Sequence, residues 1–572
     1  MNFDQIKAYK VRQFVGKDAA LADAQTVVAY YKKLIDEQVD SAESFEEWLI
    51  KYSELGAALS QKGAILYIYM ACQTDDESCS EKYKDFIENI VPHIKTLEDV
   101  LNKKILELAQ SYDLDEERYN VYFRNIRADQ EIFVKENVVL ETKLELLSQK
   151  YQTIIGAMMV EFEGEERTLP QMAKYLREPD RVIREAAWMA LTKRRLKDKD
   201  ALNEIFNEMI ALRRKIALNA GFDGYCKFRF KELHRFDYLP DDCKEYHEVI
   251  EKLVVPILAQ IYAERKLQMG LSKLRPWDTS VDPKGRAALK PFNEIEKLPK
   301  GCESIFRSVD PELGEKFVSM HEQGLLDMES RKGKAPGGFM STLDEARRPF
   351  IFMNAVGVDQ DVRTLLHEGG HAFHSMLSAH EKIVDYRHAP MEFCEVASMS
   401  MELIAYDHLS TFYSEEDIDR SNKRHLEDVI VTLVWVALID LFQHWIYENP
   451  EHTVEEREQA WLGFRKRFGC DLIDWSDLNE QHINMWHAQL HIFEVPFYYI
   501  EYGIAQIGAL QLWKRYKQDP EKAIDGYKKG LSLGGSRPLP ELFETAGIKF
   551  DFSETTIRPL VEMVKKELNL KG

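Results

Sequence analysis

The sequence has fewer basic than acidic residues. Its 572 residues include 76 Lys and Arg against 97 Asp and Glu, a formal net charge of −21. A field of that sign repels a phosphate backbone and an anionic membrane surface. We therefore expect neither nucleic acid nor a membrane as a partner, and we interpret the acidity mainly as a source of solubility.

Cysteines are few and have no regular spacing. The seven are scattered and never arranged as C-x-x-C, which argues against a disulfide framework and against a cysteine-ligated zinc. The N-terminal sequence MNFDQIKAYKVRQF also lacks the apolar segment and the small-residue cleavage site of a secretory signal. Together these features predict a protein of the reducing cytoplasm.

Long apolar runs are absent as well. The longest, from Val429 to Ile439, is ended by Asp440 and is too short to cross about 30 Å of hydrocarbon. It predicts a buried helix. The sequence also has no internal repeat and no low-complexity tract.

Helical periodicity dominates the chain. Apolar residues at steps of three and four, as at Ile94, Leu97 and Leu101, place one apolar stripe on a helix. Residues 157–169 and 337–357 instead show strand patterns around turn residues, and we predict a β-hairpin in each. The predicted fold class is mainly α, with two helical lobes around a deep substrate cleft.

The segment HEGGHAFH carries the clearest chemical motif. His367-Glu368-x-x-His371 places two imidazoles on one helix face about 6 Å apart, where both can bind one zinc ion. Glu368 then projects beside the position that a catalytic zinc keeps open. Asp359 is the predicted N-cap of this helix, and the small β element at 337–357 lies directly before it.

A bare H-E-x-x-H also arises by chance. With 16 histidines in the chain, we expect it in roughly 0.05 of such sequences. Gly369 and Gly370 reduce the weight of chance, because each costs about 1 kcal/mol relative to Ala inside a helix. That cost makes sense where another part of the protein must approach the helix closely.

Downstream, APMEFCEVASMSMEL predicts a second helix with an acidic face. Glu395, Ser398 and Glu402 follow one another at steps of three and four. Carboxylates among apolar neighbours need a partner, and a zinc ion is the most effective one. Glu395 is the predicted third ligand, although Glu392 fits the spacing too. Glu402 either orients a ligand histidine or is a solvated helix position, and the spacing leaves both open.

These residues resemble the zinc oligopeptidases of the thimet oligopeptidase and oligoendopeptidase F family. The matching combination is HEGGHAFH followed by FCEVAS, and it is most similar to the bacterial oligoendopeptidase F branch with its Pz-peptidase-like members. In that family a glutamate of an E-x-x-S helix is the third zinc ligand. The resemblance therefore favours Glu395 over Glu392. It extends, more weakly, from about Arg177 to Gly547.

The resemblance implies a second active-site segment, a histidine followed by clustered tyrosines. Here HIFEVPFYYIEYG matches and supplies His491, Tyr498, Tyr499 and Tyr502. Tyr499 and Tyr502 would lie at i and i+3 on a helix and present two hydroxyls to one oxyanion, whereas packing in the core is the commoner role of such rings. Tyr498 is assigned to substrate binding. His487 and His482 are the alternatives to His491.

The predicted activity is a zinc-dependent endopeptidase for short oligopeptides. One zinc per chain, bound by His367, His371 and Glu395, would lower the pKa of its water toward about 7. Glu368 would take the proton of that water as general base and pass it to the leaving amine. The restriction to short peptides comes from the family resemblance.

Zinc and Tyr502 would stabilise the oxyanion, with His491 or Tyr499 assisting. The strand that begins at Gly337, Gly338 and Phe339 would bind substrate by β-augmentation, because positions without a side chain let another backbone approach.

Two other functions stay open. A zinc carboxypeptidase of similar build would need a cationic side chain, such as Arg347 or Arg348, for the free C-terminal carboxylate. A catalytically silent peptide-binding protein is disfavoured because Glu368 is intact.

A proline-rich stretch at 274–292 suggests where the chain divides, since its prolines prevent a continuous helix. We predict three consecutive regions. They are residues 1–150 as an N-terminal helical region, 151–290 as the helical region that completes the N-terminal lobe, and 291–572 as the zinc-binding catalytic lobe.

Overall fold

The computed structural model describes residue 3 and residues 6–335, 337–469 and 471–570. Within these residues the chain is mainly helical, as predicted, and its strands form two small sheets. The α-helices are α1 (Ala24–Asp36), α2 (Ala42–Cys72), α3 (Glu77–Asp85), α4 (Val91–Ser111), α5 (Glu116–Ile132), α6 (Asn137–Gly156), α7 (Leu169–Met172), α8 (Arg181–Leu196), α9 (Lys199–Asn219), α10 (Tyr225–Glu232), α11 (Pro240–Leu253), α12 (Val255–Gln268), α13 (Lys297–Val309), α14 (Pro311–Glu322), α15 (Asp359–Leu377), α16 (Met391–Ile404), α17 (Glu415–Glu448), α18 (Val454–Phe468), α19 (Asn479–Ile483), α20 (Leu490–Glu494), α21 (Ile500–Gln518), α22 (Pro520–Ser532), α23 (Leu539–Thr545) and α24 (Glu554–Glu567).

The chain forms two compact units, each assembled from three separate stretches of sequence. Unit 1 contains Met1–Gln130, Lys290–Asp419 and Gly508–Phe550, and unit 2 contains Glu131–Leu289, Arg420–Ile507 and Asp551–Gly572. One boundary, between residues 289 and 290, lies within the proline-rich stretch. The three consecutive regions that we predicted differ from these units, because residues 1–130 belong to the same unit as residues 290–419.

The core of unit 1 shows why the N-terminal helices belong there. Tyr31 of α1, Trp48 of α2 and Leu101 of α4 are fully buried in one hydrophobic cluster. Ile383 and Tyr386, which follow α15, are buried in the same cluster. The helical stripes at the N-terminus therefore cover apolar residues that lie far away in sequence.

The predicted hairpin around Gly164 is present in unit 2. Strands β1 (Met159–Phe162) and β2 (Glu165–Thr168) pair antiparallel. Glu163 and Gly164 connect them with φ values of 54° and 77°, which is the positive-φ geometry of a two-residue hairpin turn.

The hairpin predicted at 337–357 is also present and lies in unit 1. Strands β4 (Phe339–Leu343) and β5 (Arg348–Ala355) pair antiparallel, and a third strand, β3 (Leu326–Glu329), pairs parallel to β5. The order β3-β5-β4 makes β5 the central strand and β4 an edge strand. Helix α15 begins directly after the turn that follows β5, so the small sheet lies beside the H-E-x-x-H helix, as predicted. Strand β3 was not predicted, because four residues are too few for a recognisable pattern.

Helix α17 contains the apolar run from Val429 to Ile439. By length and composition α17 could cross a membrane, but 72% of its most apolar 18-residue window is buried inside the folded chain. Such burial is what a core helix shows, in agreement with the prediction of a buried helix.

Candidate active site

The start of α15 is fixed by a carboxylate, but not by the predicted one. The backbone N–H groups of residues 356–358 donate to Oδ2 of Asp361 at 2.7–2.9 Å. The N-cap is Val358, so the prediction of Asp359 as N-cap is wrong. Asp359 instead accepts a hydrogen bond from the Tyr413 hydroxyl at 2.7 Å. Asp361 is the third residue of the helix. A carboxylate at this position can accept hydrogen bonds from the N–H groups that directly precede the helix.

The two glycines of α15 stand where other parts of unit 1 approach the helix. A Cβ added to Gly370 would lie 2.6 Å from the carbonyl oxygen of Ala397 and from Cα of Ser398, both in the backbone of α16. At Gly369 a Cβ would lie 2.5 Å from the ring of Phe306. The predicted close approach is therefore present, and it brings the faces of α15 and α16 together.

The approach of the two helices places three possible metal ligands side by side. Nε2 of His367 and Nε2 of His371 lie 3.5 and 3.7 Å from Oε2 of Glu395. Glu402 contacts the other nitrogen of His367, with 2.7 Å between Oε1 and Nδ1. Ser398 donates to Oε2 of Glu395 at 2.9 Å. Each of these contacts fixes the orientation of a side chain in the group.

Glu392 and His374 are not members of this group. The potential ligand atoms of His367, His371 and Glu395 all lie within 4.8 Å of one another, and no other described residue joins them. His374 is buried and packs its ring edge-on against Phe393. It is therefore a packed histidine.

Burial and mutual charge shift the protonation of the group. Burial alone would lower the pKa of His367, but the hydrogen bond and charge of Glu402, with the other carboxylates, raise it to about 10. Burial raises the pKa of Glu368 to about 7 against the opposing charge of His367. Burial and the charge of His367 lower the pKa of His371 to about 3. Burial also raises the pKa of Glu395. The charges of the two histidines and three carboxyl groups therefore act strongly on one another in this site.

The residues fit a zinc ion by their chemistry. Two imidazole nitrogens and one carboxylate oxygen are the donor set of a catalytic zinc with one position left open. Oε2 of Glu368 is buried and has no hydrogen-bond partner among the described residues. Such an orphaned carboxylate oxygen is suited to a ligand or a water molecule beside the metal.

The predicted tyrosine segment forms a separate cluster in unit 2. The ring of His491 lies 4.8–5.9 Å, between centroids, from the rings of Tyr498, Tyr499 and Tyr502. Tyr502 is in the first turn of α21, but Tyr499 lies in the turn before it. The prediction that both occupy one helix is thus wrong for Tyr499, although their rings are in contact, with centroids 5.5 Å apart.

His487 and His482, the alternatives to His491, have other surroundings. His487 is buried, its Nε2 lies 3.3 Å from Oδ1 of Asn203, and burial lowers its pKa to about 3. His482 stacks on Trp475 at a centroid distance of 4.1 Å. Of the three histidines, the structure brings only His491 into the tyrosine cluster.

Three arginines of unit 2 hold the backbone that leads into the tyrosine cluster. Each donates to a carbonyl oxygen of the segment before Tyr498, and two of them, at 213 and 235, are buried. Phe497, at the end of that segment, has a φ of 63°, a conformation that non-glycine residues adopt only with support from their surroundings. The donor and acceptor pairs are Arg213 with Phe493, Arg229 with Pro496 and Arg235 with Phe497.

The strand predicted to bind substrate begins where expected. Gly337 and Gly338 precede β4, and Phe339 is its first residue. The side chain of Phe339 stacks on Phe352 with a centroid distance of 4.7 Å. β4 is paired with β5 on one side only within the described sheet, so its other edge has the geometry that β-augmentation requires.

A second buried polar group was missed from the sequence. Cys243, Asp440 and His444 in unit 2 offer donor atoms within 4.8 Å of one another. Nε2 of His247 lies 2.8 Å from Oδ2 of Asp440. Burial would raise the pKa of Asp440, but the two histidines hold it well below its usual range. The only sequence signal was the i, i+4 spacing within α11 and α17, which does not show that the two helices meet.

Two imidazoles, a glutamate that could bind the same metal ion and an adjacent buried carboxylate, all on a pair of packed helices, are typical of a metallohydrolase. Residues 174–562 match the model of peptidase family M3, and residues 19–133 match that of the peptidase M3 N-terminal domain. The chain therefore belongs to peptidase family M3 and is a metalloendopeptidase.

Relatives place the chain in the oligoendopeptidase F branch of the family. It is 21% identical to the plasmid oligoendopeptidase F of Lactococcus lactis subsp. cremoris, over 93% of this chain and 92% of that protein. It is 26% identical to an oligoendopeptidase F homolog of Borreliella burgdorferi, but that match covers 53% of this chain and spans about half, 52%, of the relative. Among solved structures, PZ peptidase A with an inhibitor has a TM-score of 0.87 at 27% identity, covering 99% of both chains.

Proposed function

We propose that the chain is a zinc-dependent endopeptidase that hydrolyses short peptides. The observation that carries this proposal is the position of two imidazole nitrogens within 3.7 Å of one carboxylate oxygen of Glu395. The names of the relatives, oligoendopeptidase F, support short peptides as the substrate class. Family membership supports a metal, and the donor set favours zinc.

In the proposed mechanism, a bound zinc ion would polarise water and the scissile carbonyl. Glu368 accepts the proton of the attacking water at its orphaned Oε2 and delivers it to the leaving amine. Glu402 holds Nδ1 of His367, so that Nε2 faces the metal position. Ser398 holds Glu395 in the same way.

The tyrosine cluster would supply hydrogen bonds to the developing oxyanion. Tyr502 is the proposed donor, with His491 or Tyr499 assisting, and Tyr498 would contact substrate. Strand β4, which begins after Gly338, would bind the substrate backbone along its edge. We also propose a cytoplasmic location, which the free state of the six described cysteines supports.

Metal removal tests the proposal. Purified protein should contain one zinc per chain, and chelation should abolish hydrolysis of a quenched peptide until zinc is restored. His367→Ala should lose both metal and activity, whereas His380→Ala, whose ring is exposed just after α15, should keep both. Full activity with stoichiometric metal in His367→Ala would contradict the ligand assignment.

The products distinguish an endopeptidase from a carboxypeptidase. An endopeptidase still cleaves an internal bond of a C-terminally amidated peptide, whereas a carboxypeptidase needs the free carboxylate. Mass spectrometry of the products checks this. Cleavage confined to peptides with a free C-terminus, and only at that end, would contradict the endopeptidase.

A further inference from the structure

Unit 2 contains a cavity of about 410 Å³. Its walls come from α8, α12, α17, α18 and residues 473–488, and most of the lining is aromatic or aliphatic. Three indole rings, those of Trp188, Trp435 and Trp475, contribute to it. A cavity of this size and lining is typical of sites that bury a large apolar group.

The cavity is positively charged although the chain is acidic. The chain carries a net charge of −21, yet the described residues that line the cavity include two arginines and no Asp or Glu. Arg465 lies between two indoles, 5.9 Å from the ring centroid of Trp435 and 5.8 Å from that of Trp475. This combination selects for a ligand with an apolar body and a negative charge.

Arg195 strengthens that selection. Its guanidinium makes no hydrogen bond or ion pair with any residue that the structure describes, and burial lowers its pKa. A guanidinium offers five N–H donors, and burying them without an acceptor costs free energy. An anionic ligand in the cavity would supply the missing acceptor.

Hydrogen bonds connect the cavity wall to the tyrosine cluster. Nε1 of Trp435 donates to Oε1 of Gln489 at 2.9 Å, and Nε2 of Gln489 lies 2.8 Å from Nδ1 of His491. The cavity is therefore adjacent to residues that we propose act on the peptide substrate. Part of that substrate could enter the cavity without any further binding partner being required.

We propose that the cavity binds the C-terminal residue of a peptide substrate, with its apolar side chain among the indole rings and its α-carboxylate on Arg195. The proposal rests on the proposed peptidase function. Carboxylate and guanidinium pair through two parallel charge-assisted hydrogen bonds. Peptides that end in a large apolar residue with a free carboxylate should therefore bind more tightly than their amidated forms.

The experiment compares a short peptide ending in Phe as free acid and as amide. Binding is followed by tryptophan fluorescence in zinc-loaded Glu368→Gln protein, and KM and kcat are measured in protein with Glu368 intact. The acid should bind about 10-fold or more tightly than the amide. Arg195→Gln should remove this difference and leave kcat nearly unchanged. Lys193→Gln, an exposed basic position on the same helix, should keep the difference.

Stability separates binding from a structural role of Arg195. Arg195 is half-buried and has no hydrogen-bond or ion-pair partner among the described residues, so Arg195→Gln should not lower the melting temperature. Leu191→Trp, which fills the cavity, should raise KM for the peptide ending in Phe more than for one ending in Gly. Equal binding of acid and amide by the unmodified protein, or an undiminished difference in Arg195→Gln, would overturn the proposal.

The test also separates the C-terminal carboxylate from an acidic side chain. For this purpose we measure an amidated peptide that contains an internal Glu. If it binds as tightly as the free acid and loses this affinity in Arg195→Gln, the assignment to the C-terminal carboxylate is wrong. Failure of the peptidase function has a different signature, because zinc-loaded protein would then hydrolyse none of the peptides while the acid still bound more tightly than the amide.

Discussion

At the residue scale, the contacts around the histidines decide between roles that spacing left open. Glu402 was equally compatible with solvent and with a supporting role, and its Oε1 lies 2.7 Å from Nδ1 of His367. Glu395 rather than Glu392 lies with the histidines. A one-turn shift along a helix changes the direction of a side chain only slightly, so these choices depend on how the neighbouring helix packs.

Glu368→Gln separates metal binding from chemistry. Because Glu368 is not among the proposed ligands, the variant should keep one zinc per chain and its peptide affinity, while kcat falls by at least about 10²-fold. Metal analysis and steady-state kinetics check this. Glu395→Gln is the matched comparison and should weaken metal binding instead. Normal turnover in Glu368→Gln would eliminate the proposed general base.

Tyr502→Phe tests the oxyanion role in the tyrosine cluster. If the hydroxyl acts mainly in the transition state, kcat should fall by roughly 10²-fold with little change in KM or melting temperature. A core tyrosine would instead lose about 1–3 kcal/mol of stability when its hydrogen-bond partner is left unsatisfied. Tyr499→Phe is measured alongside. Lower stability with normal turnover in both variants would leave the oxyanion to His491 or to the metal.

At the scale of elements, the metal centre depends on how closely α15 and α16 pack. Gly370 lets the backbone of α16 approach α15 to a distance that excludes a side chain. The H-E-x-x-H spacing places the two histidines on α15 alone, and the proposed third ligand, Glu395, comes from α16. The close packing at Gly370 therefore determines whether Glu395 lies within reach of the two histidines.

Gly370→Ala should disturb this packing. Its Cβ would meet backbone atoms of Ala397 and Ser398, which cannot move without separating the helices, so we expect a net loss of about 1–3 kcal/mol in the free energy of unfolding and weaker zinc binding. Gly463→Ala is the control, because a Cβ there meets nothing within 4 Å. It should stabilise the protein by about 0.5–1 kcal/mol. Unchanged zinc affinity and stability in Gly370→Ala would contradict the packing argument.

At the scale of the whole molecule, the chain passes repeatedly between two units. The N-terminal helices complete unit 1 by covering Ile383 and Tyr386, which are far away in sequence. A half-buried carboxyl group, Glu98 of α4, lies beside Tyr31 of this cluster, with 3.3 Å between its Oε1 and the Tyr31 hydroxyl. Burial raises the pKa of Glu98 to about 7, so the stability of unit 1 should depend on pH.

The sign of this dependence follows from proton binding. Between the ordinary carboxyl value near 4.5 and about 7, folded Glu98 holds its proton while unfolded Glu98 has lost it. Stability should therefore fall as pH rises through this window, by at most about 3 kcal/mol from this group. Glu98→Gln should stabilise the protein at pH 8 and change little at pH 4.5. Urea unfolding at both values checks this, with exposed Glu107→Gln on the same helix as control. An equal effect at both pH values would rule out titration of Glu98.

Much of this protein follows from local sequence pattern. Helices, both hairpins and the H-E-x-x-H helix depend on periodicity and turn residues, which act within a few neighbouring positions. The glycines of α15 even indicated a close approach. The error at Asp359 and the missed strand β3 arose where several local signals compete or where the segment is too short to show a period.

The tertiary structure alone decided which distant segments meet. The two units, the position of Glu395 beside the histidines, the arginines that hold the segment before Tyr498 and the position of Arg195 in its cavity all depend on packing between elements that lie far apart in the chain. The hydrophobic effect is non-directional. An apolar stripe in the sequence therefore predicts that one face of a helix is buried, but it does not predict which element covers that face. The sequence by itself determined the elements and the reactive residue types; packing determined their partners.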